Sequence, residues 1–93
     1  MLTRAVEEAH LLQARHHVAG ALARIAQQVA RVARMKAHDL DATRAEATLR
    51  VMQETLRVMQ AHKELIEDAL VAIDAATTAR AAIHATIVRA MRE

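Results

Sequence analysis

The chain has 93 residues and a formal net charge of +2, with no Pro, Cys, Trp, Tyr or Phe and a single Gly. Ser and Asn are missing as well, so Ser, Cys and Tyr nucleophiles, disulfides and thiolate zinc sites are excluded, and strands lack the aromatic residues they favour. What remains is one small all-α domain, residues 1–93, whose core has to come from Leu, Ile, Val, Met and Ala on closely packed helices.

The first helix is predicted over residues 2–36. Thr3 is placed to cap it, and Glu7 and Glu8 lie near the positive end of its dipole. Leu11, Ala14, Val18, Leu22, Ile25, Val29, Val32 and Met35 then recur at steps of three and four, the spacing of one apolar helix face. Gly20 lies inside this run, where it costs about 1 kcal/mol of helix propensity. Close approach of a second helix would give it a use.

A turn follows at residues 37–41, where His38-Asp39-Leu40-Asp41 interrupts the periodicity. Asp41 can cap the next helix; Thr43 with Glu46 three residues later offers a capping box as a second possible start.

The second helix is predicted over residues 42–92. It contains one six-residue phrase written twice, Thr48-Leu49-Arg50-Val51-Met52-Gln53 and Thr55-Leu56-Arg57-Val58-Met59-Gln60, separated by Glu54. An offset of seven puts Leu49 and Leu56 in one row and Met52 and Met59 in the next, as a coiled-coil seam requires. The seam reads Ala45, Leu49, Met52, Leu56, Met59, Lys63, Ile66, Leu70, Ile73. A short connection makes the two long helices antiparallel. With the turn near His38 and Asp39, facing residue numbers should sum to about 77 or 78, and Val18 with Met59, Ile25 with Met52, Leu22 with Leu56 and Val29 with Leu49 all do so. The expected fold is an antiparallel helical hairpin with a coiled-coil-like seam. Arg15 and Lys63 meet in one layer of this register and are expected to snorkel outward.

The same register leaves residues 77–93 without a partner. Their apolar pattern shifts to Ala76, Ala79, Ile83, Ile87 and Ala90, so the helix either continues with a change of phase or breaks near residues 74–78, where Asp74 could cap a short third helix. The absence of Gly and Pro there favours continuation. Ile83 and Ile87, with Met91, are expected to pack against a second chain, giving a homodimer that forms a four-helix bundle.

Histidine is the one reactive residue in quantity. The register brings His16, His17 and His62 to one layer, which supports an alternative reading as a small metal- or haem-binding bundle, although the spacing matches no strong metal motif. Catalysis is not expected: there is no Gly-rich phosphate loop, and Glu67 and Asp68 sit where ordinary exposed helix charges belong. Residues 9–37 carry five cations and no acid. Arg24, Arg31 and Arg34 with Gln27 and Gln28 make a basic face, but without stacking aromatics it offers only nonspecific phosphate contact, and nucleic acid is not an expected partner. No uncharged apolar run reaches about eighteen residues and no secretory signal is recognisable, so a soluble, cytoplasmic protein without membrane contact is the expectation.

His17-Val18-Ala19, Ile25-Ala26-Gln27-Gln28, Leu40-Asp41-Ala42 and Ala61-His62-Lys63-Glu64-Leu65-Ile66 together resemble a group of small, uncharacterised bacterial helical-hairpin proteins. The resemblance covers residues 17–70; it departs in the position of Gly20 and in lacking the Gly usual at the turn. It implies a hairpin and no particular activity, and the composition is also compatible with a designed helical protein. The expected function is that of a noncatalytic interaction or structural module, with no cofactor, acting through helix packing as a homodimer or with another protein.

Overall fold

The computed structural model describes residues 3–92. They form two helices, α1 (Arg4–Ala37) and α2 (Thr43–Arg92), joined by a five-residue turn at residues 38–42. The two helices pack side by side as an antiparallel hairpin in a rod of 84 × 20 × 15 Å.

Each helix end closes through an identifiable local device. Thr3 is extended and caps α1: its Oγ1 accepts from the Val6 N–H at 3.3 Å, and its carbonyl accepts from the Glu7 N–H at 3.0 Å. At the other end Leu40 N–H donates to the Met35 carbonyl at 2.8 Å and Asp39 N–H to the Lys36 carbonyl at 3.1 Å. This pairing of bonds is a Schellman closure, and it needs a left-handed residue between helix and turn. Asp39 supplies it, with φ 54°, where glycine is the usual occupant. The carboxylate of Asp41 then accepts from the Thr43 hydroxyl at 2.6 Å and from the Thr43 N–H at 3.0 Å, and Glu46 N–H donates to the Ala42 carbonyl at 2.8 Å to open α2. Those two bonds, the hydroxyl's first, hold the Asp41 carboxyl below its ordinary value of 3.8. Thr43 and Glu46 make no capping box. Thr43 already lies inside the helix, and Glu46 instead reaches back across the turn to Lys36, with Nζ 2.6 Å from Oε1.

The core is thin, as two helices alone must make it. Near the turn Val32, Ala42 and Ala45 pack together with Met35 against them; towards the other end Ala14 packs with Ile66 and Leu70, with Leu11 alongside. Between these clusters Val18 and Ala21 are buried, while Ile25, Met52, Leu56 and Met59 are half-buried. Among the described residues no side chain is wholly sequestered from solvent.

On α2 the residues that face α1 are those the periodicity names. On α1 they differ in two layers. The buried or half-buried row runs Ala14, Val18, Ala21, Ile25, Gln28, Val32, Met35, alternating steps of four and three without a slip. Leu22 and Val29 each stand one position further round, on the flank, and are 49% and 48% exposed. The seam thus takes a small residue and a polar one in preference to two larger aliphatics, because a supercoiled pair can keep only strictly alternating positions in contact. Gln28 meets the cost by donating its amide to the Ala45 carbonyl at 2.9 Å. The Arg15–Lys63 layer is corrected by the same shift: Ala14 holds the seam position and Arg15 is exposed, while Lys63 is half-buried with Nζ 3.9 Å from Glu67.

Beyond the Arg4–Asp74 ion pair, α2 runs on alone. It passes residues 74–78 without a break and continues to Arg92, so residues 75–92 project past the start of α1 by about 27 Å at the usual helical rise. Gly20 meets no second helix. A Cβ built there would approach only the guanidinium end of Arg24, at 3.2 Å from Nη1.

Candidate functional site

One side of the hairpin carries three shallow grooves in line. His10, His17, Arg24 and Arg31 edge them from α1, spaced by seven; Thr48, Thr55 and His62 edge them from α2, again spaced by seven. The grooves share a side because equal heptad positions of antiparallel helices flank the seam together.

The first groove, of about 350 Å³, is lined by His10, Gln13, Ala14, His17 and His62. It brings His17 and His62 together as the register suggests, but the third imidazole is His10 and not His16. His16 lies off this groove, its ring centroid 6.3 Å from that of His17 and tilted by 50°. His10 Nδ1 stands 3.3 Å from a carboxylate oxygen of Glu7, which is 5% exposed. Among the described residues no three His, Asp or Glu side chains are disposed to hold a metal ion. The set His16, His17 and His62 is therefore not assembled by the fold.

The second groove, of about 120 Å³, is the apolar one: Ala21, Ile25, Val51, Met52 and Met59 line it, with Arg24 and Thr55 at its rim. The third, of about 400 Å³, is polar and lies by the turn, with Gln28, Arg31, Asp41, Arg44 and Thr48 among its walls. Of the basic face read from the sequence, Arg24 and Arg31 edge this side, whereas Gln28 turns into the seam.

Beside these grooves α2 exposes a second aliphatic row. Val51, Val58 and Leu65 are spaced by seven and are 65%, 69% and 67% exposed. Thr48, Thr55 and His62 interleave with them at steps of three and four, and the same alternation continues through Ala69, Ala72, Ala76 and Ala79 to Ile83. Ile83 and Ile87, on the overhang, are 60% and 51% exposed, and Met91 is 81% exposed. So the apolar face of the overhang is not an isolated patch: it continues a row that begins beside the hairpin. Val18, Ile25, Leu49, Met52, Leu56, Met59 and Ile66 face the intrachain seam, whereas Ile83 belongs to this second row and Ile87, two heptads beyond Ile73, stands beside it. The repeated phrase contains the signal for it, since a seven-residue repeat writes Val51 and Val58 as surely as it writes Leu49 and Leu56.

Among the described residues no helix is long and apolar enough to cross a membrane. Comparison of the chain with protein-family models, curated proteins and solved structures finds no match.

Proposed function

We propose that this chain is a noncatalytic structural or interaction module that works by self-association, two hairpins assembling as a bundle of four helices. The observation that supports it is the second apolar row on α2, where Val51, Val58, Leu65 and Ile83 are exposed along both the paired and the projecting parts of the helix, with Ile87 exposed beside it. Each Val, Leu or Ile left in water forgoes about 1.5–3 kcal/mol that burial would supply. A row of four such residues, with a fifth beside it, is more than the scattered exposure usual in a monomer. Sedimentation of the chain across a concentration series tests the reading. Dimer at micromolar concentration is expected, with Leu65→Asp shifting it to monomer while leaving the helical spectrum intact; monomer at every concentration would remove the proposal.

A second reading, ligation of a metal or haem, draws on the groove shared by His10, His17 and His62, whose side chains would have to turn toward one another to bind it. Titration with zinc and with haem, repeated on His62→Ala, decides it. Tight stoichiometric binding lost on substitution supports ligation, and no binding eliminates it.

A further inference from the structure

We infer that the second copy docks antiparallel along the outer row of α2, in one register centred between Ala69 and Ala72. This rests on the self-association reading and specifies its surface. In the hairpin itself, facing seam residues on α1 and α2 have numbers that sum to about 77, as Ile25 and Met52 do where they line the same groove. The same antiparallel rule applied to two copies of α2 allows only registers that differ by whole heptads. Flanking charges choose among them.

In the register with a sum of about 141, Ala69 meets the partner's Ala72 at the dyad and Leu65 meets the partner's Ala76. Val58 then meets the partner's Ile83, and Val51 the partner's Ala90. Large residues thus fall against small ones or against another aliphatic in the apolar layers, Thr55 meets the partner's Thr86, and the Ala pairs let the backbones approach closely. On the flank, Glu54 comes within about 3 Å, two residues' rise, of the level of the partner's Arg89, and by symmetry this pair occurs twice. One heptad shorter, at a sum of about 134, Asp68 would lie one residue from the dyad and beside its own copy, bringing two like charges close together. One heptad longer, Val58 loses its Ile partner and Glu54 its Arg.

The apolar groove on the hairpin supplies an independent check. Ile87 sits beside the outer row, on the flank that faces α1, and in this register the partner's Ile87 arrives level with residue 54 of α2. That places it over the groove lined by Ala21, Ile25, Met52 and Met59. An aliphatic side chain is delivered to the one groove of the three whose walls are mainly aliphatic. Four helices meet only in the central layers; on either side the partner's overhang lies against one hairpin as a third helix.

The experiment is a charge exchange, read by sedimentation at low salt with circular dichroism as a control for folding. The full chain is compared with Glu54→Arg, Arg89→Glu and the double variant. Each single reversal sets two like pairs against each other and should raise the dimer Kd about tenfold, and the double variant should restore it. Rescue is specific to contact between chains, because Glu54 also pairs within its own helix with Arg57, and that pair stays broken in the double variant. A wild-type dimer that ignores the single reversals, or a double variant no better than the singles, overturns this register and leaves self-association standing. A wild-type chain that is monomeric throughout overturns both.

Discussion

The side-chain amide of Gln28 on α1 donates to the main-chain carbonyl of Ala45 on α2, at 2.9 Å. A polar residue thus holds a seam position near the turn, where apolar packing alone would leave neighbouring registers close in energy. A satisfied polar group in a helical seam penalises every register in which it loses its partner.

Gln28→Ala is expected to cost about 0.5–1.5 kcal/mol, the net worth of one such bond. Gln28→Leu should be close to neutral in stability, since it removes the polar group along with its bond. Thermal unfolding of the two variants checks the pair; an Ala variant as stable as wild type would show that the bond contributes nothing.

Asp39 sits at φ 54° with a side chain, in the place where helices most often end in glycine. Asp39→Gly should therefore stabilise the hairpin by about 1 kcal/mol, whereas a β-branched residue such as Val should destabilise it by at least as much. Denaturant midpoints at unchanged m-value measure both.

The Asp41 cap makes stability depend on acid. Its folded-state pKa lies below the ordinary 3.8 because the Thr43 hydroxyl and N–H favour the carboxylate, so the contribution is present above that value and is lost as pH falls through the folded pKa. Between pH 5 and pH 2 the melting temperature of wild type should fall more steeply than that of Asp41→Ala. Parallel curves would mean that the cap does not act through its charge.

Truncation after Ala76 removes Ile83, Ile87 and Met91 but none of the residues that face α1. The shortened chain should keep its hairpin helicity, lose the concentration dependence of its melting temperature and sediment as monomer. A truncated chain that remains fully dimeric would place the contact elsewhere.

The helical class, the site of the turn and the row of α2 that faces α1 can all be read without coordinates, because they depend on local propensity and on a period that repeats within a few residues. Ala45, Leu49, Met52, Leu56, Met59, Ile66 and Leu70 are examples: the doubled phrase states their spacing outright. Continuity through residues 74–78 belongs to the same class, since nothing local interrupts it. Leu22 and Val29 show where such reading ends. Judged by hydrophobicity they are better seam residues than Ala21 and Gln28, yet which of two adjacent rows is covered depends on the path of the partner helix, a property of the pair and not of either segment. Tertiary structure also decided which histidines share a groove, since His16 and His17 are neighbours in sequence but about 100° apart around a helix. It decided, finally, that Val51, Val58 and Leu65 are left uncovered. A sequence with apolar residues on two faces of one helix states that two partners are needed; only the packed hairpin shows which face the chain has already satisfied by itself.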